Sequence, residues 1–342
     1  MKAATELRLA ILGAGGLGKG MMQRVEQTPG FKTVALVDST GYVWDEDGVD
    51  CAALLPLKSL NSYPNAIGSH QAILDLFTVH ADDIDVVFVA LPNLPVDFIP
   101  SIAEQLAEKT TFKGVIVDAL KRSRAVELML ALHDVLAQNH ILYITGAGAT
   151  PGFLSTVAAV AAQSFVSVDH IDIRFGVGIA NWEAYRATIR EDFIHLPGFD
   201  ADRVAAMSDA DIEAELNQRN GLIELVNMEH ADDIMLERAG ICRRDQVTVG
   251  GLVDTRNAAK PIQTTVTITG KTVAGQTASH VLTLDNATTM VDNVCGPALG
   301  FLRQGVELHH TQALSGVLTS VDLMPKGHVT TSTAPNRQTV SA

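Results

Sequence analysis

The chain has 342 residues, of which 47% are hydrophobic, and its 25 basic against 39 acidic residues give a formal net charge of −14. This length accommodates about two domains, and the negative charge disfavours a nucleic-acid partner. The sequence shows neither a signal-peptide pattern nor the ~18 consecutive apolar residues that span a bilayer, so we expect a cytoplasmic protein with no membrane partner. The three cysteines lie far apart without CxxC spacing, which indicates neither disulfides nor a zinc site. A small-molecule ligand is the expectation.

The first predicted strand, residues 7–13, runs directly into a glycine-rich turn that opens a predicted helix. Glycines in this context allow a tight turn and let a dinucleotide pyrophosphate approach the helix N-terminus. The next predicted strand, residues 32–38, ends on an aspartate placed to accept ribose hydroxyls. The residues expected to contact the cofactor in these two segments are Gly13, Gly15, Gly16, Leu17, Gly18, Asp38 and Ser39. The pattern predicts binding of NAD or NADP.

The choice between the two cofactors depends on the end of the second strand. A carboxylate at Asp38 favours NAD, because it would repel the 2′-phosphate of NADP. Ser39 and Thr40 beside it are able to bind a phosphate. The sequence therefore favours NAD and leaves NADP open.

Three more strands are predicted at residues 85–91, 114–120 and 141–147, with helical patterns at 95–107 and 123–138 between them. Alternating strands and helices are typical of a parallel sheet covered on both faces. The predicted fold class is therefore α/β, with a doubly wound Rossmann domain over residues 1–150. Ligands of such domains bind at the carboxyl ends of the strands. Pro92 and Asn93 follow the third strand, so we expect them near the nicotinamide, although an ordinary turn explains them equally well.

The pattern changes after Thr150-Pro151-Gly152, where a helix is predicted to begin. Period-two alternation at residues 169–179, 262–273 and 276–285 indicates a mainly antiparallel sheet, and the chain has further helical patterns at 208–218 and 287–309. Gly296-Pro297 would break or kink the last of these helices. We therefore predict a second, α+β domain over residues 151–326 for substrate binding or oligomerisation. It is followed by a polar, disordered tail at 327–342, and a homo-oligomer is expected.

Lys121 is the strongest candidate for a catalytic residue. It follows the predicted strand 114–120, so it is expected to project from the sheet toward the cofactor. Desolvation and the neighbouring Arg122 would lower the pKa of its amine, giving the neutral form that attacks a carbonyl or relays a proton. A solvated lysine at the start of the next helix is almost equally compatible with its position.

Two segments of the predicted second domain combine acids with a histidine, Arg190 to His195 and Met228 to Asp233. Their spacing matches no standard metal-ligand pattern, so no metal is predicted, and exposed polar loops account for most of these residues. His230 or His195 could still act as a general acid or base.

Two family resemblances arise from these motifs. The segment from Gly13 to about Pro151 resembles homoserine dehydrogenases, which also combine a Rossmann glycine loop, an acidic-serine segment and a lysine after a central strand. The whole chain resembles more closely the BioU family, the 8-amino-7-oxononanoate carboxylating dehydrogenases of biotin synthesis. This second resemblance rests on the glycine turn, on Asp118-Ala119-Leu120-Lys121-Arg122 and on Glu229-His230.

The BioU resemblance implies a reaction in which the enzyme is consumed. Lys121 would condense with the ketone of 8-amino-7-oxononanoate, and a nicotinamide cofactor would reduce the imine. After carbon dioxide or bicarbonate adds to the neighbouring amine, oxidation would break the lysine C–N bond. A carboxylated 7,8-diaminononanoate would leave, and the lysine would remain as an aldehyde. The resemblance implies a role for His230 in the carboxylation step.

Two other functions remain open at this stage. In a conventional dehydrogenase similar to homoserine dehydrogenase, Lys121 would relay a proton and survive each cycle. In a nicotinamide-sensing binding protein, no catalysis would occur.

Overall fold

The computed structural model describes residues 6–93, 95–180 and 182–323. The strands of this part of the chain are β1 (Leu7–Leu12), β2 (Phe31–Asp38), β3 (Gly41–Trp44), β4 (Ile67–Gly68), β5 (Val86–Val89), β6 (Val115–Asp118), β7 (Leu142–Thr145), β8 (Ser167–Gly178), β9 (Leu222–Leu225), β10 (Val247–Asp254), β11 (Thr264–Lys271), β12 (Thr277–Leu284) and β13 (Gly316–Thr319). The α-helices are α1 (Gly16–Glu26), α2 (Cys51–Leu54), α3 (Ala72–His80), α4 (Phe98–Lys109), α5 (Ser123–Ala131), α6 (His133–Gln138), α7 (Phe153–Ala162), α8 (Arg186–Phe193), α9 (Ala201–Ala206), α10 (Asp209–Gln218), α11 (Asp232–Arg238) and α12 (Met290–Gln312).

The first sheet has eight strands in the order β13-β7-β6-β5-β1-β2-β3-β4. Its strands pair in parallel from β13 to β2, whereas β3 and β4 form an antiparallel edge. Strands β5, β6 and β7 are buried along their whole length, because helices cover both faces of the sheet. The predicted doubly wound α/β fold is therefore confirmed.

Helices α1 and α12 pack on one face of this sheet, and α3 to α6 pack on the other. The predicted helix 123–138 is in fact two helices, α5 and α6, which meet at Leu132. Helix α12 continues through Pro297 without ending there, contrary to the predicted break.

The second sheet has five strands in the order β12-β11-β8-β10-β9. All its pairs are antiparallel except β8 with β10, so the prediction of a mainly antiparallel sheet is confirmed. Apolar side chains of β8, β10 and β11 alternate toward a core shared with α7 and α11. A separate core under β9 and β10 receives α8, α9 and α10. This second core holds α8 in a fixed place beside the first sheet.

The C-terminal part of the chain returns to the first sheet. Helix α12 packs on β6 and against α1, and β13 pairs in parallel with β7. The segment assigned from sequence to the second domain thus contributes an edge strand to the first sheet. A four-residue apolar strand has the same pattern in either sheet, so its partner is not evident from the sequence. The predicted tail at 327–342 lies outside the described residues.

No helix in the described ranges is both long enough and apolar enough to cross a membrane.

The strand order brings three loops together at one edge of the first sheet. β1 lies between β2 and β5, and β6 follows β5, with Leu12 opposite Val89 and Val89 opposite Asp118. The segments that follow these strands therefore meet at the switch point, where α/β domains bind ligands. They are the glycine turn, the Pro92-Asn93 segment and the Lys121 segment.

Candidate active site

A single cavity of about 850 Å³ lies at these strand ends and extends to the second sheet. The residues expected to contact the cofactor, together with Lys121 and His230, number eleven, and the lining includes ten of them: Gly13, Gly15, Gly16, Leu17, Asp38, Ser39, Pro92, Asn93, Lys121 and His230. The residues assigned to cofactor binding and those assigned to the chemistry thus line one cavity.

Gly18, the eleventh residue, does not line the cavity. A Cβ atom at Gly18 would lie 1.8 Å from the carbonyl oxygen of Gly13, and one at Gly13 would lie 2.3 Å from the carbonyl oxygen of Ala90. Gly13 also has a φ of +111°, which favours glycine. These two glycines allow the turn to pack against the strand ends.

Gly15 has a different environment. It caps the N-terminus of α1, with no side chain of the described residues bound to that end, and a Cβ there would approach nothing closer than the Ala184 carbonyl at 3.7 Å. The first-turn N–H groups of α1 are therefore available to a phosphate. The residues of this loop fit the pyrophosphate of a dinucleotide.

Asp38 is held by its own turn. Its Oδ1 accepts hydrogen bonds from the N–H groups of Thr40 (2.7 Å) and Gly41 (3.1 Å), and its Oδ2 accepts one from the N–H of Leu60 (2.8 Å). This network fixes the carboxylate beside the cavity at the end of β2. Ser39 and Lys58 line the same part of the cavity.

Lys121 is paired with two buried acids of α8. Its Nζ donates to Oδ1 of Asp192 over 2.6 Å and lies 3.4 Å from Oε2 of Glu191. The side chain of Lys121 is 16% exposed, which excludes the solvated lysine considered from sequence. Lys121 and both acids line the cavity together.

The expected lowering of the Lys121 pKa is not what the structure gives. Burial alone would lower this pKa, but the charges and hydrogen bonds of Asp192 and Glu191 outweigh burial and raise it above its ordinary value. Arg122, the expected source of repulsion, instead pairs with Glu229 at 3.2 Å. Lys121 is thus an ammonium at rest, and attack on a carbonyl requires a proton acceptor.

Glu191 and Asp192 are the residues that the sequence interpretation missed. They were assigned to an exposed polar loop, whereas they lie in α8 with side chains only 1% and 6% exposed. One local feature of the sequence indicated that the acid pair is buried. The pair lies between the apolar residues Ile189 and Phe193, which are both fully buried in the structure. Acids on the apolar side of a short helix need a buried cation, and Lys121 is that cation.

Asn93 binds the other side of Glu191. Its Nδ2 donates to Oε2 of Glu191 over 3.1 Å, joining the loop after β5 to α8. Burial raises the pKa of Glu191, with Asp192 adding to the increase, although Lys121 and Asn93 act in the opposite direction. Asn93, predicted near the nicotinamide, therefore also contacts the acid pair around Lys121.

The segment from Glu229 to Asp233 fixes the main chain around Lys121. The N–H of Ala231 donates to the carbonyl oxygen of Lys121 over 2.7 Å, and Ser123 Oγ donates to Oδ1 of Asp233 over 2.8 Å. His230, between these contacts, is buried and lines the cavity. The structure thus brings the segments of His230 and Lys121 together, although the two residues are 109 positions apart in the sequence.

His195, the alternative histidine, does not line the cavity. Burial, with the nearby charge of Lys121, lowers its pKa, and its Nε2 has no hydrogen-bond partner among the described residues. The charges of Asp192, Glu229 and Arg122 also act on its pKa, so His195 lies near the acid cluster but outside the lining of the cavity.

Comparison with known proteins gives a relative over nearly the whole chain. The sequence is 38% identical to the (S)-8-amino-7-oxononanoate synthase BioU of Haloferax mediterranei, over 94% of this chain and 99% of that protein. Residues 1–90 also match the family model of glutamate/leucine/phenylalanine/valine dehydrogenases.

Solved structures show the same fold at low identity. An engineered D-amino acid dehydrogenase bound to NADP+ superimposes with a TM-score of 0.55 at 17% identity, over 93% of this chain and 94% of that one. The DAP dehydrogenase of C. glutamicum in complex with DAP gives 0.55 at 16% identity, over the same shares of the two chains. These likenesses identify the fold as that of nicotinamide-dependent dehydrogenases.

Proposed function

The chain belongs to the BioU family, and from this premise we propose that it converts 8-amino-7-oxononanoate to a carboxylated 7,8-diaminononanoate in biotin synthesis, with Lys121 as covalent amino donor. It is an NAD(P)-dependent enzyme by its relatives and fold. One observation carries the proposal: the cavity that begins at the glycine loop also contains the amine of Lys121, held 2.6 Å from Asp192.

In the first step, Nζ of Lys121 must lose a proton before it attacks the ketone. Asp192 is the acceptor, because its Oδ1 already binds Nζ. The acid pair then returns a proton to the carbinolamine hydroxyl, so that water leaves and an imine forms between Lys121 and the substrate. The buried ion pair of the resting enzyme therefore stores the proton that dehydration requires.

When bound, the nicotinamide cofactor supplies the hydride that reduces this imine and later accepts the hydride released from Cε of Lys121. Between the two events, carbon dioxide adds to the neighbouring substrate amine. Oxidation at Cε gives an imine whose hydrolysis breaks the Cε–N bond. The nitrogen leaves with the product, and an aldehyde remains on the chain.

His230 is proposed to act in carboxylation. It lines the same cavity as Lys121, and the hydrogen bond from the Ala231 N–H to the Lys121 carbonyl joins the main-chain segments that carry the two residues. A neutral ring nitrogen would take the proton that the substrate amine loses as it bonds to carbon dioxide. Carbon dioxide or bicarbonate as co-substrate and a homo-oligomeric assembly stay predictions.

The test is the mass of the protein after one reaction. Incubation with 8-amino-7-oxononanoate and reduced cofactor should give a covalent adduct on the Lys121 peptide, and added bicarbonate and oxidised cofactor should convert that lysine to an aldehyde. Lys121→Arg keeps the cation between Glu191 and Asp192 but should form no adduct. An intact lysine after many turnovers would instead identify a conventional dehydrogenase.

Cofactor preference follows from Asp38, which we propose favours NAD. Its carboxylate is fixed at the end of β2, where it would repel a 2′-phosphate, although Ser39 and Lys58 nearby allow NADP to bind. Fluorescence titration should give tighter binding of NADH than of NADPH, and Asp38→Asn should narrow the difference. Equal affinities in the unaltered protein would refute the preference.

A further inference from the structure

Two buried acceptor atoms beside Lys121 have no donor among the described residues. They are Oε1 of Glu191 and Oδ1 of Asn93. The Glu191 side chain is 1% exposed, both residues line the cavity, and the other atoms of their polar groups bind each other across 3.1 Å. Buried acceptors are normally paired, so these two atoms indicate a ligand that brings hydrogen-bond donors.

The position of Glu191 relative to Nζ of Lys121 narrows the choice of ligand group. Oε2 of Glu191 lies 3.4 Å from Nζ. In the proposed substrate the primary amine is on the carbon next to the ketone, so once Nζ bonds to the ketone carbon, three bonds separate the two nitrogens. A carboxyl group already adjacent to Nζ is therefore within hydrogen-bond reach of that amine.

We propose that Glu191 and Asn93 form the recognition site for the primary amine of an α-amino ketone, and so make the enzyme select such ketones over those without the amine. The assignment rests on the proposed function of Lys121. Asp192 binds Nζ itself, whereas Glu191 and Asn93 present the two unpaired acceptors. The site thus divides its two acids between the attacking amine and the substrate amine.

The charge of the cluster supports this division. Glu191, Asp192 and Lys121 place two acids against one cation in a buried space. Burial raises the pKa of Glu191, so a second cation is needed to favour its ionised form. An incoming substrate ammonium supplies that cation, and a simple ketone does not.

The experiment compares 8-amino-7-oxononanoate with 7-oxononanoate, which lacks the amine, by trapping the Lys121 imine with cyanoborohydride in the absence of cofactor. Adduct formation is followed by intact mass and located on the Lys121 peptide. The unaltered protein should react faster with the amino ketone. Glu191→Gln should reduce this preference by about tenfold, which is the usual scale for losing one hydrogen bond to a charged group.

Asp192→Asn is the matched control, because it should slow both ketones and leave their ratio unchanged. Asn93→Ala provides a second variant, at a half-buried loop position, and should reduce the ratio in the same direction. Thermal unfolding of each variant verifies that the protein is folded.

The outcomes separate the two proposals. If the unaltered protein forms no Lys121 adduct with the amino ketone, the proposed function fails and amine recognition fails with it. A second result is that adducts form with the amino ketone and the simple ketone at nearly equal rates, and a third is that the preference for the amino ketone is unchanged in Glu191→Gln and Asn93→Ala. Either of these overturns amine recognition alone. Weaker NADH binding in both variants, with an unchanged ratio of the two ketone rates, would mean that the two acceptors bind the cofactor. That result would also overturn amine recognition.

Discussion

Nδ1 of His230 lies 2.7 Å from Oδ2 of Asp232, and both side chains are buried. Thr150 Oγ1 donates to the same carboxylate oxygen over 2.6 Å, and Ser155 Oγ donates to the other. A carboxylate so bound fixes the ring and accepts from Nδ1–H, which leaves Nε2 as the nitrogen able to act on a ligand. The loop before α7 and the start of α11 thereby orient His230 over the cavity.

Replacing His230 should separate the two halves of the proposed reaction. We expect His230→Gln to form the Lys121 adduct at close to the normal rate, because Lys121 has its own acids. Incorporation of labelled bicarbonate into product should fall by about 100-fold, the usual scale for removing a general base. Mass spectrometry of the adduct and isotope counting of the product measure the two steps. Loss of both steps in a folded variant would contradict a role confined to carboxylation.

Asp192 should control both the rate and the pH dependence of imine formation. In Asp192→Asn the ammonium of Lys121 loses its nearest anion. Burial, which lowers the pKa of Lys121, is then balanced by one acid fewer, so this pKa should fall. The midpoint of the pH–rate profile should therefore move to lower pH, whereas the limiting rate should decrease because the proton acceptor is gone. Cyanoborohydride trapping across a pH series measures both quantities.

The control for this pH profile is Arg124→Gln, which removes an exposed cation of α5 that pairs only with Glu127 among the salt bridges of the described residues. Its profile should match that of the unaltered protein. A midpoint that stays in place in Asp192→Asn would show that Asp192 does not set the protonation state of Lys121.

The sequence predicted structural features that depend on residues close together in the chain, and it missed contacts between residues that are far apart in the chain. Strand, turn and helix follow one another within the first 38 residues, so the glycine turn and Asp38 were identified from local pattern. Its position after a buried strand made Lys121 a candidate, although a solvated lysine fitted that position almost equally well. The partner of Lys121 is 71 positions away, and an acidic pair has the same letters in an exposed loop as in a buried helix. Ile189 and Phe193 were the local indication of a buried helix, and the packing of α8 on the second core is what buries the acid pair.

The same reasoning explains the incorrect expectation for the Lys121 pKa. From sequence, Arg122 was the only neighbour of known position, and it suggested repulsion. In the fold, the adjacent cation turns to Glu229 and the acids of α8 face the amine. Adjacent residues on an extended segment point to opposite sides, so sequence neighbours are a poor guide to the charges around a side chain.

Gly15 and Gly18 should respond differently to an added methyl group. In Gly15→Ala the new Cβ has room in the protein, so the free energy of unfolding should change by less than about 1 kcal/mol. The methyl group would occupy the space at the N-terminus of α1, and we expect NADH affinity to fall at least about tenfold. In Gly18→Ala the Cβ meets the carbonyl oxygen of Gly13, so stability should fall as well.

Chemical denaturation and NADH titration distinguish these two effects. Gly296→Ala in α12 is the control, because its Cβ would meet only Arg24, at 3.6 Å. Because alanine is favoured over glycine inside a helix, this variant should be more stable by up to about 1 kcal/mol, with unchanged cofactor affinity. Full NADH affinity in Gly15→Ala would show that the pyrophosphate does not lie at this helix end.

Asp118 should make the protein less stable as the pH rises through the mildly acidic range. Burial raises the pKa of Asp118 from 3.8 to about 6, although the N–H groups of Leu120 and Gly146 bind its Oδ1. Between these pH values the folded state holds a proton that the unfolded state releases, so stability falls with rising pH. The resulting decrease in the free energy of unfolding should reach about 3 kcal/mol near neutral pH and be absent below about pH 4.

Asp118→Asn isolates this effect, because its amide oxygen can accept the same two backbone hydrogen bonds without a titrating group. The difference in unfolding free energy, variant minus unaltered protein, should therefore increase between pH 4 and pH 7, as measured by urea denaturation at each pH. A constant difference for Asp118→Asn would mean that the carboxyl is already ionised in the folded protein throughout this range. The backbone donors that hold the start of the Lys121 segment would then outweigh the cost of burying its charge.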